Sequence, residues 1–250
     1  MSDWPDGYGR RILDTVDSTL TEAGRIAPGL AAPEWILARQ QTAARGRRGR
    51  AWHMPAGNLA CTLVVRLDEP PQRIALRSFV SALALFDACA EVLGETGALS
   101  LKWPNDVLLN GGKFAGILLE TLGGGGQGGT VLAIGIGANL ATAPESAQVE
   151  ARALRPVSVL GETGVSLDPE MFLTHLAAHY AKREAQFTTY GFDTIRQAWL
   201  AQAARLGETI VARTGTTETE GRFDTVDSDG NLVLVTSKGP VRIPAADVYF

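Results

Sequence analysis

A chain of 250 residues can bury a substantial apolar core without a disulfide or metal staple. Its 23 Lys and Arg against 27 Asp and Glu leave a formal net charge of −4, which argues against a globally basic nucleic-acid binder. Charged residues at 20% and hydrophobic residues at 45% describe a globular chain, and 28 glycines with 12 prolines imply many turns without low complexity.

The N-terminal stretch Met1–Pro5 has neither a basic region nor an apolar run, and Cys61 and Cys89 make no disulfide framework. A reducing, cytoplasmic setting is therefore expected. The longest uncharged stretch, Thr121 to Pro144, is broken by glycines and is no membrane span. Ile12–Val16 reads as a strand, after which Thr19 offers an N-cap with Glu22 completing a capping box, so a helix is predicted there. Trp35–Ala38 and Leu59–Leu67 read as strands, and Ala75–Leu93 as a buried helix ending near Gly94. A hairpin pattern follows: Leu99–Lys102, Val107–Leu109, a turn at Asn110-Gly111-Gly112, and a return strand over Lys113–Leu122. The glycine cluster at 123–129 lacks the Lys-Ser/Thr of a P-loop and reads as a long hairpin loop into Val131–Gly137. Helices are predicted from Asp168-Pro169-Glu170 to Thr188 and from Gly191 to Leu206. After Gly207, short strands at Glu208–Arg213, Glu220–Val226, Leu232–Thr236 and Val241–Ile243 suggest a small docked barrel. The expected class is α+β: helices on a mixed or antiparallel sheet over 1–206, then a β module over 207–250.

Three segments are polar where a bland fold needs no polarity. In Gln41–Trp52 four arginines, Arg45, Arg47, Arg48 and Arg50, fall within six residues spaced by Gly46 and Gly49. Like charges and glycines disfavour a helix, and guanidinium forks suit phosphate or carboxylate oxygens. An anionic small ligand, a solvated loop and a nucleic-acid patch all fit this segment taken alone. In the second segment, Lys102-Trp103-Pro104-Asn105-Asp106 leads to Asn110–Gly116. Strict alternation on the return strand puts Lys113, Ala115, Ile117 and Leu119 on one face and Phe114, Gly116 and Leu118 on the other. Gly116 in mid-strand marks either a close approach or a bulge. The third segment, Gly135-Ile136-Gly137-Ala138-Asn139-Leu140, is a strand end where Asn139 serves either a turn or a polar edge.

Taken together, Asp17-Ser18-Thr19, Gln41, Arg45–Trp52, Pro55–Leu59, Lys102–Asp106, Lys113–Leu118 and Gly135–Leu140 resemble the biotin–protein ligase family, in the family's order and densely over 12–140. The resemblance implies a fold related to class II aminoacyl-tRNA synthetases with a C-terminal SH3-like barrel. It implies ATP and biotin as substrates with Mg²⁺, a biotinyl-5′-adenylate intermediate, and a biotin carboxyl carrier protein domain as acceptor. Carried over residue by residue, it makes Lys113, Arg45 and Arg47 catalytic. Ser18, Thr19, Gln41, Arg45, Lys113 and Gly116 would bind biotin. Arg47, Trp52, Asn105, Asp106, Lys113 and Asn139 would bind the nucleotide, with Asp106 as a Mg²⁺ ligand. Four positions depart from the family pattern: Leu20 where Asn is common, Ala44 where Gly is usual, and His53 and Met54 in place of an aromatic and a Ser.

His175 and His179 have metal-ligand spacing, but Leu176 stands where a zincin needs Glu, so a helix face is expected. Cys61 and Cys89 read as core thiols. Only about ten residues precede the catalytic pattern, too few for a helix-turn-helix, so a monofunctional ligase without DNA binding or membrane attachment is expected. A lipoate or octanoate ligase and a non-catalytic nucleic-acid module are the competing readings. Whether copies pair into a homodimer is not legible in the sequence.

Overall fold

The computed structural model describes residues 3–52, 54–94, 96–123, 129–145, 152 and 154–250. The His53 departure and most of the glycine loop, 124–128, lie outside the described residues.

Strand β1 (Gly9–Val16) runs parallel to β2 (Glu34–Gln41), and helix α1 (Thr19–Ile26) connects them. Such a connection is needed because parallel neighbours cannot be joined by a tight turn. Ser18, not Thr19, is the N-cap, and its side-chain oxygen accepts from the Leu20 N–H at 3.3 Å. Thr19 is unavailable for capping because its hydroxyl sits between Gln41 Oε1 at 3.2 Å and the Thr62 hydroxyl at 2.8 Å. Strand β3 (Leu59–Leu67) pairs antiparallel with β2. Pro71 starts the short α2 (Pro71–Ala75), and α3 (Arg77–Leu93) stops at Gly94, whose φ of 71° only glycine adopts cheaply.

Strands β4 (Leu99–Lys102), β5 (Asp106–Leu109), β6 (Gly112–Thr121) and β7 (Thr130–Ala138) complete a seven-stranded sheet in the order β1-β2-β3-β7-β6-β5-β4. Asn110 and Gly111 both take positive φ, 49° and 73°, as the tight β5–β6 turn requires. One departure from the expected alternation matters for the site. Val107 pairs with Ala115 while Leu108 pairs with Lys113, so Phe114 is an extra residue and the facing flips there. Lys113 and Gly116 consequently share a face, and an ideal Cβ on Gly116 would lie 3.5 Å from Lys113 Nζ.

Helix α4 (Val159–Thr163) precedes α5 (Pro169–Tyr190), capped by Asp168 Oδ1, and α6 (Phe192–Leu200). The last helix ends six residues before the expected Leu206. The free edge of β4 takes the following backbone instead: Leu101 N–H donates to Gln202 C=O and Ala204 N–H to Leu101 C=O, both at 2.8 Å. Strands β8 (Thr209–Thr214), β9 (Thr217–Val226), β10 (Leu232–Thr236), β11 (Gly239–Ile243) and β12 (Asp247–Tyr249) form an antiparallel sheet ordered β11-β10-β9-β8-β12. The three-residue β12 is not apparent in the sequence pattern.

Alternation divides the large sheet. Trp35, Leu37, Leu59, Cys61, Leu63, Ile134 and Ile136 face α3, α5 and α6, in a core continuous with Ile210, Phe223 and Leu234 of the second sheet. On the opposite face, α1 covers only Ile36, Val64, Val131 and Ala133 with Leu20, Ala23 and Ala27. Beyond α1 the middle of that face carries the small residues Ala60, Gly135, Gly137 and Gly116, and the cavity lies there.

Candidate active site

Ala60, Gly137 and Gly116 lie side by side across β3, β7 and β6. With no side chain beyond a methyl, this row is the floor of a cavity of about 490 Å³. The Trp52 indole rests directly on it: an ideal Cβ at Gly137 would stand 2.7 Å from the ring. Leu20 similarly occupies the space above Gly135, 2.9 Å from where a Cβ would be. Glycine at both positions is thus a packing requirement.

At one end, the β1–α1–β2 crossover gathers three polar side chains, because Val16 and Gln41 are paired at the ends of their strands. Gln41 Oε1 accepts from the Thr19 N–H at 2.7 Å and from its hydroxyl, while among the described residues Gln41 Nε2 reaches Met54 Sδ at 3.4 Å, a weak acceptor. Ser18 is 2% exposed and Thr19 3%. Asp17, clamped by Arg25 and by the Ser18 N–H, is held at a pKa of about 2 and anchors the helix start.

At the other end the sheet and the arginine loop bring cations together. Lys113 Nζ lies 2.7 Å from Asp106 Oδ1, and Lys102 Nζ lies 3.7 Å from Oδ2. Burial acts to raise the Asp106 pKa, but Lys113, Lys102 and Arg47 outweigh it and hold the carboxyl below its ordinary value. Burial lowers Lys102, with Asp106 opposing. The Lys113 backbone is fixed by Arg155 C=O at 2.9 Å and the Val157 N–H at 3.0 Å, an approach Gly112 permits by leaving room for Val157. Lys113 also stands 5.6 Å from the Trp52 ring centroid. Arg45, by contrast, lies on the α1 side of the cavity, gripped by Glu120 at 3.2 and 2.7 Å and reaching the Thr21 hydroxyl at 2.9 Å, with guanidinium protons still to offer. Arg47 reaches Asn105 Oδ1 at 3.3 Å, and Asn105 Nδ2 is tied to Ile117 C=O at 2.5 Å.

Every expected site residue lines this one cavity: Ser18, Thr19, Gln41, Arg45, Arg47, Trp52, Asn105, Asp106, Lys113, Gly116 and Asn139. Asn139 donates to Val157 C=O at 3.0 Å, and its buried Oδ1 has no partner among the described residues. Asp106 does not fit the metal-ligand role expected of it, since both oxygens already face ammonium groups. No group of three His, Cys, Asp or Glu suited to a metal occurs among the described residues. Sequence reasoning missed Lys102 as a cavity residue, although it begins a recognised motif, and missed Asp247, Val248 and Tyr249 of β12. Asn58 proves to be a brace, with Oδ1 accepting from the Ala141 and Thr142 N–H groups. His175 and His179 lie on α5, away from the cavity, 3.2 and 2.7 Å from Glu91.

A polar trio, a glycine floor and several lining cations suit a small ligand that carries polar and anionic groups. Residues 8–139 match the biotin/lipoate A/B protein ligase family, and residues 206–250 match the biotin protein ligase C-terminal domain. A biotin–[acetyl-CoA-carboxylase] ligase of Paracoccus denitrificans is 55% identical over 96% of this chain and 99% of its own length. The bifunctional ligase/repressor of Bacillus subtilis is 32% identical, covering 94% of this chain and 72% of that protein. Biotin protein ligase from Aquifex aeolicus, in complex with biotin and ATP, superposes with a TM-score of 0.79 over 96% of this chain and 97% of that one, at 22% identity. The chain belongs to the biotin/lipoate A/B protein ligase family. No helix among the described residues is long and apolar enough to cross a membrane.

Proposed function

We infer that this chain is an ATP-dependent biotin–protein ligase. A carboxylate oxygen of biotin attacks the α-phosphorus of ATP and pyrophosphate leaves, giving biotinyl-5′-adenylate. A lysine amine of a biotin carboxyl carrier protein domain then attacks the acyl carbon, forming the amide and releasing AMP. Two anions must meet in the first step, so the site has to supply positive charge and alignment rather than a nucleophile. The observation that carries this reading is the convergence of Arg45 and Lys113, from separate parts of the chain, on one glycine-floored cavity.

In this reading Lys113 and the remaining donors of Arg45 hold the carboxylate against the phosphate. Glu120 and Asp106 keep those cations in place before the substrates arrive. Ser18, Thr19 and Gln41 read the ureido ring, with Gln41 Nε2 the least committed donor. Arg47, Asn105 and the unpartnered Asn139 Oδ1 serve the nucleotide, and the loop carrying Arg47 shields the adenylate from water. Mg²⁺ enters as part of the nucleotide substrate. We assign catalysis to 1–206 and a supporting role to 207–250, in a cytoplasmic enzyme that binds neither DNA nor membrane. Homology to the acetyl-CoA carboxylase-directed relative supports a carboxylase carrier domain as the acceptor.

Biotin-dependent exchange of labelled pyrophosphate into ATP tests the first step, with Lys113→Ala and Arg45→Ala each slowing it by about 10²-fold or more. Exchange driven by lipoate or octanoate and not by biotin would replace biotin as the substrate. Exchange at the native rate in Lys113→Ala would remove its assigned role.

A further inference from the structure

The arginine loop is held by more contacts than its composition suggests. It closes on itself through Gly46 N–H to Arg50 C=O at 2.7 Å and Trp52 N–H to Ala44 C=O at 3.0 Å. A 3₁₀ turn at its tip, Arg47–Gly49, places Arg48 at φ 57°, ψ 26°. That left-handed conformation is unfavourable for a non-glycine residue and persists where surroundings over-determine it. Part of the holding force comes from a place 199 positions away in sequence: Asp247 Oδ2 accepts from Arg48 Nη1 at 2.5 Å. The same oxygen accepts from Arg50 Nη2 at 3.4 Å, and the neighbouring Ala246 C=O accepts from Arg47 Nη2 at 3.4 Å. The Asp247 side chain is 13% exposed, against 46% and 41% for Arg48 and Arg50, so the carboxylate is the fixed partner. Its backbone is fixed as well, paired with Arg213 of β8. Arg47, just ahead of the two latched arginines, bridges the same C-terminal backbone to the cavity, with Nη2 on Ala246 C=O and Nη1 on Asn105 Oδ1.

We propose that Asp247 is a positioning residue for the ligation reaction: from the C-terminal sheet it latches the arginine loop through Arg48 and Arg50, and so keeps Arg47 over the cavity while the adenylate waits for its amine. This rests on the ligase reading above and deepens it. It assigns the C-terminal sheet the retention of the intermediate. With the latch open, the mixed anhydride escapes or meets water, which attacks the acyl carbon and returns biotin and AMP.

The test uses the full chain and the variants Asp247→Ala, Asp247→Glu, Arg48→Ala and the Asp247→Ala/Arg48→Ala double. Each is given MgATP and labelled biotin without acceptor, and the ratio of adenylate released to adenylate formed is measured. A merely destabilised chain loses both in proportion and leaves the ratio unchanged. Asp247→Ala and Arg48→Ala should each raise it about 1.5- to fivefold, the range of a partly exposed ion pair. Asp247→Glu should restore the native ratio. The double variant should be no leakier than the leakier single, because both remove one contact. Leakage from the native chain should also grow with salt. A native ratio in Asp247→Ala, or effects that multiply in the double, would overturn the latch. If Asp247→Ala does not fold, a native ratio in Arg48→Ala overturns it equally. A native chain that forms no adenylate at all refutes the ligase reading, whereas adenylate formed and equally retained by every variant refutes the latch alone.

Discussion

Asp106 has both oxygens facing lysines in a largely buried setting, and its ionisation decides whether Lys113 and Lys102 can stand so close together. Its carboxyl is held below the ordinary range because the two ammoniums and Arg47 outweigh the cost of burial. A carboxyl whose folded pKa is depressed contributes stability that is fully present above the unfolded value near 4 and is lost as pH falls through the folded one. Melting temperature should therefore fall on acidification below about pH 4, and Asp106→Asn should flatten that slope while lowering stability at neutral pH. An unchanged acid slope in Asp106→Asn would assign it to other carboxylates. At this scale the sequence was most informative about residues whose type is costly where it sits: a lysine beside small apolar residues, or glycines in mid-strand. It was silent on pairings such as Arg45 with Glu120, which join positions 75 apart and leave no local pattern.

Helices α3 and α5 pack against each other around one buried charge. The Arg77 side chain is 1% exposed, bound to Glu184 and Glu69 at 2.7 Å each, with its guanidinium carbon 5.1 Å from the Phe187 ring centroid. Removing one partner leaves the guanidinium underpaired in an apolar surround, so Glu184→Ala should cost about 3 kcal/mol in denaturant unfolding, while replacing the ion pair with apolar residues of similar volume should cost much less. A loss below about 0.5 kcal/mol in Glu184→Ala would mean that solvent already reaches Arg77. Element existence was legible wherever periodicity ran long, as in α3 and α5. The failures have definite causes. The apolar pattern after Gly191 continued past the point where the edge of β4 captured the backbone. The β6 alternation was broken by a bulge whose partner residues lie on another strand. Three residues of β12 are too few to show a period.

The two sheets share one core. Trp103, in the β4–β5 turn, donates to Gly230 C=O at 3.1 Å, and an added Cβ at Gly230 would stand 3.0 Å from Leu76 and Phe79 on the large-sheet side. Arg196 on α6 donates to Val226 C=O at 3.1 Å. A core continuous across the junction should melt as a unit, so calorimetry should give a single transition with calorimetric and van't Hoff enthalpies in agreement. Two resolved transitions would show that the C-terminal sheet folds independently. The change in character after Gly207 was visible from its short strands and turns. That this segment also supplies part of the cavity wall was not, because docking depends on which side chains meet, not on local propensity.

The parallel pairing of β1 and β2 has a practical consequence. Both strands end at the polar trio, so the segment joining α1 to β2, with Pro28, Gly29, Ala31 and Ala32 exposed, turns at the far edge of the sheet. A fluorophore, affinity handle or whole reporter domain spliced between Ala31 and Ala32 would ride at the opposite strand ends, out of the way of whatever enters the cavity.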